Sequence, residues 1–325
     1  MSEFDLIKRL ERQSRAARPV LTGIGDDASV TVHRGPTATS VDAVVDGVHF
    51  RRQWSSPARI AAKAVATALS DLAAMAADPG EVYVTLGLPV DTPTGYLEEL
   101  ADGFIAAARQ FGVALTGGDT VASPVLFASV TVVGRAPEGQ QLILRSGAQH
   151  GDLVAVTGCF GGAAAGLLLL ENQSLEQDSG IPEREALIER QISPRPRLAV
   201  GSGLRGTGVT SLVDVSDGLI ADLGHIAKAS GVAVEIDDGL VPVQAGVAEV
   251  AAAAGLDPVD LALAGGEDYE LAMTLPPGLR EAVKTGTESA GCDFTVVGKV
   301  NEGSGVDVLG GDPGRASPGG YDHFR

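Results

Sequence analysis

Five short acidic motifs recur along the chain: Gly25-Asp26-Asp27, Ser40-Val41-Asp42, Gly117-Gly118-Asp119, Asp214-Val215-Ser216-Asp217 and Gly265-Gly266-Glu267-Asp268. Hard oxygen donors in this number suit Mg²⁺ or Ca²⁺, and Mg²⁺ usually shares its shell with water and substrate phosphates. Any one pair reads as a solvated turn, since Asp and Gly dominate turns. Five together point to a divalent-metal phosphate site. Asp71 lies inside a helical stretch, Ile60 to Met75, on a stripe with Ala64, Thr67 and Met75 beside the apolar Ala68/Leu72 face. A carboxylate at such an edge is costly without compensation, and a cation, a salt bridge to a lysine such as Lys63, or simple exposure all remain open. Asp217 opens a helix, where capping alone could explain it; Asp214, deeper in a strand end, is harder to explain that way.

Other chemistries find little support. There is no GxxxxGK[ST] run, so any nucleotide must be held without a P-loop. Arg145-Ser146-Gly147 could grip phosphate oxygens bidentately, although a lone surface arginine is the default reading. The turn from Thr157 to Gly162, before an Ala-rich helix, reads as tight packing rather than an anion site. The five histidines show no HExxH spacing, no GxSxG elbow occurs, and Cys159 and Cys292 form neither a CxxC pair nor a disulfide framework. A reducing, cytoplasmic setting is expected, and the first 14 residues carry no signal-peptide core. With 42 Asp and Glu against 24 Lys and Arg, a formal net charge of −18, the surface repels nucleic-acid backbones and anionic membranes.

The elements that must position these residues follow from periodicity. At 325 residues and 44% hydrophobic, the chain is long enough for two domains of an α/β class. A helix is predicted over Glu3 to Gln13, strands over Ala38 to Val45, Val82 to Leu88 and Val125 to Val133, and helices over Pro57 to Ala77, N-capped by Ser56, and Thr94 to Phe111. Beyond a boundary near Ala136, strands are predicted over Leu153 to Thr157, Thr210 to Val215 and Ala233 to Ile236, and helices over Ala163 to Glu171 and Leu219 to Ser230. The tail from Asn301 is predicted irregular, and no internal repeat is visible. The longest uncharged run, Leu153 to Leu170, is broken by four glycines and reads as a buried strand, turn and helix rather than a membrane span.

In order, GIGDDA (23–28), SVDAVVDGVHF (40–50), ALSDLAAMAADP (68–79), GGDT (117–120), RSG (145–147), DVSDGLIADLGHIAKAS (214–230), GGEDYEL (265–271) and GYDHF (320–324) closely resemble the thiamine-monophosphate kinase family. The resemblance runs through nearly the whole chain. It implies a two-domain fold of the aminoimidazole-ribonucleotide-synthetase-like superfamily, forming a homodimer whose N-terminal sheets pair into a barrel. Residues 1–136 would bind metal and ATP and dimerise, and residues 137–325 would complete the ATP and substrate site. It also implies Mg²⁺-assisted transfer from ATP to thiamine phosphate. Carried over by motif, Asp27, Ser40, Val41, Asp42, Asp71, Asp119, Asp214 and Asp217 would hold metal; Gly118, Asp119, Arg145 and Ser216 would contact ATP; His49, Glu267 and Tyr321 would contact thiamine phosphate. Catalysis would fall to Asp42, Asp119 and Arg145.

A carboxylate such as Glu267 and an aromatic face such as Tyr321 both favour the thiazolium cation. Val41 departs from the family, which commonly has threonine there. The change is harmless if the position acts through its carbonyl and weakens one metal site if it acts through a hydroxyl. Another ATP-dependent synthetase of the same superfamily is the alternative, although selenophosphate synthetase would want an N-terminal cysteine and the hydrogenase-maturation relative a terminal one. A non-catalytic acidic metal- or nucleotide-binding protein is the alternative from another class, and no EF-hand spacing supports it.

Overall fold

The computed structural model describes residues 9–10, 20–24, 28–172, 175, 180–181 and 183–310. Asp27, Tyr321 and nearly all of the helix predicted over 3–13 lie outside the described residues. The chain divides into two compact units, one of residues 1–72 with 77–142 and the other of residues 73–76 with 143–325.

The first unit is built on a four-stranded sheet in the order β3-β6-β4-β5, with β3 Thr37–Val45, β4 Asp78–Leu88, β5 Ala114–Ala122 and β6 Phe127–Arg135. A small antiparallel pair, β1 Val20–Thr22 and β2 Val30–Thr31, precedes it. Within the four-stranded sheet only β4 and β5 run parallel. Along β6 every second residue is buried, Ala128, Val130, Val132 and Gly134, as period-two side chains on a half-covered sheet require. Two helices, α1 Pro57–Ala74 and α2 Thr94–Phe111, supply the cover: a β-carbon at Gly134 would press on Leu72 of α1, and one at Gly103 of α2 would collide with Ala58 of α1. Ser56 accepts the Arg59 N–H at 3.4 Å and so caps α1 as its sequence predicts.

Three departures from the sequence reading are physical. The α1 helix stops at Ala74 rather than Ala77 because Ala76 takes a left-handed φ of 54° and the Ala77 N–H reaches back to the Leu72 carbonyl; no glycine signals this stop. Gly117-Gly118-Asp119, read as a turn, lies within β5. The tail also carries order: β12 Gly305–Leu309 forms a parallel edge with β9 Ala233–Asp237.

The second unit carries a six-stranded sheet in the order β12-β9-β11-β7-β10-β8, with β7 Leu153–Thr157, β8 Ser211–Val215, β9 Ala233–Asp237, β10 Glu270–Leu275 and β11 Phe294–Asn301. Both faces are covered, so β8 and β10 are buried at every position. On one face Val154, Val156, Val213, Val215 and Ala272 pack with α6 Leu219–Ser230 through Leu219, Leu223 and Ile226. On the other Ala155, Leu212, Leu271 and Met273 pack with α5 Leu198–Gly203 and α9 Arg280–Ser289. A satellite core joins α3 Gly162–Glu171, α4 Arg184–Ile192 and α7 Val247–Ala254, with α8 Pro258–Ala264 beside it. No described helix is long and apolar enough to cross a membrane.

Candidate active site

In the first unit the structure joins two of the predicted oxygen donors across 31 residues of sequence: Ser40 Oγ of β3 donates to Asp71 Oδ2 of α1. Thus Asp71, whose local pattern left a cation, a lysine and exposure open, faces the strand that carries Ser40-Val41-Asp42. Period two places Asp42 on the same face as Ser40, and its Oδ1 accepts the Ala43 N–H at 2.7 Å. Val41 is 63% exposed and points to the opposite face, so a hydroxyl at this position would lie away from Ser40 and Asp71. Where β3 gives way to a turn, His49 Nδ1 accepts the Val45 N–H at 3.1 Å, which leaves the proton of a neutral ring on Nε2.

Gly118 and Asp119 occupy the opposite edge of the same sheet. Paired register runs Asp42 to Val130, Val130 to Val84 and Val84 to Gly118, a row crossing all four strands. Three strand spacings separate its ends, ~14 Å, so the β3 and β5 ligands of one chain do not meet on a single ion. Gly118 is required by close packing: a β-carbon there would collide with the Val84 carbonyl oxygen. Asp119 is exposed, and its Oδ1 accepts the Thr120 N–H at 2.8 Å. Asp42 thus lies inside β3, as the predicted strand over Ala38 to Val45 has it, and Asp119 lies inside β5, a strand the sequence does not announce.

In the second unit, α6 organises two loops. At its start, Asp217 is not the cap; Gly218 occupies that position without a side-chain bond. Instead Asp222 Oδ2, one turn into the helix, accepts the N–H groups of both Ser216 and Asp217 at 3.0 Å and so fixes the DVSD loop. Asp222 was not among the predicted site residues, though a carboxylate in a helix's first turn is a readable signal. Burial pushes its carboxyl up to about 7 despite the two N–H bonds. Ligand atoms of Asp217, Asp222 and His225 all lie within 4.8 Å of one another, and the charge of Arg145 bears on both Asp222 and His225. Desolvation, with Arg145, lowers the His225 imidazole. Asp214 is 3% exposed in β8, paired in register with Leu271.

At the far end of α6, Ser230 Oγ accepts from Gly147 N (3.1 Å) and Ala148 N (3.2 Å), holding the Arg145-Ser146-Gly147 loop and leaving Arg145 exposed. A β-carbon at Gly147 would strike the Thr210 carbonyl oxygen. The GGED loop is bound to the DVSD loop, since Glu267 N donates to Ser216 O at 2.8 Å and Tyr269 N to Val215 O at 2.9 Å. Glu267 and Tyr269 carry left-handed φ values of 65° and 51°, a strain of the sort that clusters at binding sites. The N-terminus of α3 does bind an anion, but the protein's own: Asp268 accepts from Gly161 N (2.7 Å) and Ala163 N (3.1 Å), which supports the packing reading of that turn.

Behind this loop, Glu270 is fully buried and receives Arg190 Nη2 at 2.7 Å, Arg197 Nε at 2.7 Å and Thr157 Oγ1 at 2.7 Å. Nothing in local pattern announced this network, whose donors lie 73 to 113 residues from Glu270 in sequence.

Comparisons with known proteins agree on what such a pair of units is. The family model for AIR synthase related protein, N-terminal domain, matches residues 25–136, and that for the C-terminal domain matches residues 149–310. Thiamine-monophosphate kinase of Salmonella typhimurium is 40% identical over 330 residues, covering 99% of this chain and 98% of the relative. The crystal structure of thiamine-monophosphate kinase from Stenotrophomonas maltophilia aligns with a TM-score of 0.84 at 37% identity, covering 95% of this chain and 97% of that one. A solved structure described as AaThiL complexed with AMPPCP and TMP aligns at 0.79 with 31% identity, covering 99% and 97%. With a two-domain AIR-synthase-related α/β fold and this identity along its length, the chain belongs to the thiamine-monophosphate kinase family.

Proposed function

We propose that this chain transfers the γ-phosphoryl group of ATP to thiamine phosphate, giving thiamine diphosphate and ADP. The observation that carries the reading is full-length identity to thiamine-monophosphate kinases together with oxygen donors where the family motifs fall, Ser40 against Asp71 and Asp217 against Asp222. A relative solved with AMPPCP, an ATP analogue, and TMP adds support. The donor set fits Mg²⁺: it is carboxylate and hydroxyl oxygen on β3 and α1, and carboxylate with one imidazole on α6. Ser40, Asp42, Asp71, Asp119, Asp214 and Asp217 would hold the ions, with Val41 contributing its carbonyl. Bound there, Mg²⁺ would neutralise phosphate charge and align the attacking oxygen with the γ-phosphorus.

The chain's own residues do the rest. Asp222 keeps Ser216 and Asp217 in place, Arg145 presents a guanidinium to phosphate oxygens, and His49 offers an N–H to the substrate phosphate. Glu267 would face the thiazolium cation. Asp27 and Tyr321 complete the assignment by motif. We further propose a cytoplasmic homodimer in which β3 of one copy lies beside β5 of the other. This closes both free sheet edges, covers the exposed Val41 and Val121, and brings the two halves of the β3–β5 ligand row together.

With Mg²⁺ and ATP, purified protein should release one ADP per thiamine diphosphate formed, and free thiamine should be a poor acceptor. Equal use of thiamine, or labelled γ-phosphate retained on the protein, would contradict direct transfer. Because its side chain faces away from Ser40, Val41→Thr should leave kcat within about twofold; a larger rise would assign the position a hydroxyl ligand.

A further inference from the structure

The family motifs single out Glu267 but say nothing of what aims its carboxylate. The side chain belongs to a residue with a left-handed φ of 65° in a loop whose two following acidic residues are each tied down. Asp268 is held by the start of α3, with Arg190 Nε 3.7 Å away, and Glu270 by Arg190 and Arg197. Helix α4 thus anchors this loop through Arg190. The next residue on the same helix, Gln191, is 5% exposed and donates from Nε2 to Glu267 Oε2. Arg190 therefore fixes the loop, while Gln191 fixes the direction of its functional side chain. The donor at 191 is a neutral amide, so it orients the carboxylate without adding a positive charge beside it. A lysine or arginine in its place would make the same bond and cancel the charge that a cationic ring is recognised by.

We infer that Gln191 is a positioning residue for the acceptor substrate, setting selectivity for a cationic heterocycle by aiming Glu267 while leaving its charge intact. The inference rests on the kinase reading and on the place of Glu267 in it. Its reach is the ring end of the acceptor, where that reading places the Glu267 carboxylate to which Gln191 donates.

The test uses full-length Gln191→Met, which keeps volume and removes the donor, and Gln191→Lys, which keeps a donor and adds charge. For Gln191→Met, the KM for thiamine phosphate should rise about tenfold, as for one lost hydrogen bond to a charged group, while KM for ATP and kcat stay within about twofold. For Gln191→Lys, the preference for thiamine phosphate over an analogue with a neutral ring should fall about tenfold relative to wild type. Should Gln191→Met fail to fold, the lysine variant decides alone. An unchanged thiamine phosphate KM in Gln191→Met, both KM values rising together with a lowered melting temperature, or undiminished ring selectivity in Gln191→Lys would each overturn the inference. A wild-type chain that releases no ADP with thiamine phosphate would instead remove the kinase reading itself, and this inference with it.

Discussion

Asp42→Asn and Asp119→Asn are each expected to lose at least about a hundredfold in kcat, because even outer partners of metal ligands commonly cost 10- to 100-fold. Neither should destabilise the metal-free fold, since each carboxylate bonds only the next residue's N–H among its described partners and removing a negative charge from an acidic site is neutral or favourable. The two variants carry a sharper expectation when combined. If β3 of one protomer completes the ligand row of its partner's β5, a hybrid dimer holds one doubly damaged site and one intact site. Subunits mixed in equal amounts should then recover roughly a quarter of wild-type activity, half the dimers being hybrids with one working site each. Mixtures that stay inactive would place each site within a single protomer, and near-normal turnover in both variants would make Asp42 and Asp119 ordinary strand residues.

Arg197→Met should be the most destabilising substitution in the second unit. It leaves the Glu270 carboxylate buried with one cation in place of two, and breaking a buried pair costs about 3–5 kcal/mol. At roughly 2–4 °C per kcal/mol, the melting temperature should fall by ~10 °C. The pH dependence has a definite sign. Burial alone would raise Glu270, but Arg197 and then Arg190 hold it below its ordinary 4.5. Its contribution is therefore present above that value and is lost as pH falls through the folded pKa. Asp268 behaves oppositely: burial lifts it from 3.8 to about 6 against Arg190 and two N–H bonds, so its contribution is present below 3.8 and is lost as pH rises through about 6. The Arg197→Met deficit should thus be larger at pH 8 than at pH 4, and Asp268→Asn should flatten the stability curve between about pH 4 and 6. A loss below 2 °C, or one independent of pH, would show that Glu270 does not need its second arginine.

The contrast between these two carboxylates marks what the sequence makes readable. Helix α2 is legible from end to end because Gly112 stops it, and β7 because its apolar run is bounded by charge and glycine. By contrast β5 is hidden, since Gly-Gly-Asp is a turn by composition and a strand only because β4 lies beside it. The Ser40–Asp71 contact depends on how α1 packs over β3, and the Glu270 network on four elements meeting in the second unit; neither has a local spacing to betray it. Asp222 is the residue that a closer reading of the helix start could have found. Motif order carried the assignment of chemistry further than geometry could, because short motifs far apart are specific only jointly.

The strand order of the second unit bears on how the molecule is made. Strand β7 pairs on one side with β10 and on the other with β11, so that Val156 sits opposite Ala272 and Thr295, and β12 closes the edge last of all. The whole sheet cannot be completed until the chain beyond residue 300 has been synthesised, whereas the strands of the first unit's four-stranded sheet all lie before residue 136. Such non-local pairing makes for slow folding. The first unit can settle while the second is still emerging from the ribosome, leaving the apolar runs of β7 and β8 waiting for partners. The interval between the two events is when this acidic chain most needs its net charge of −18, because mutual repulsion between nascent copies keeps those unpaired strands from finding one another.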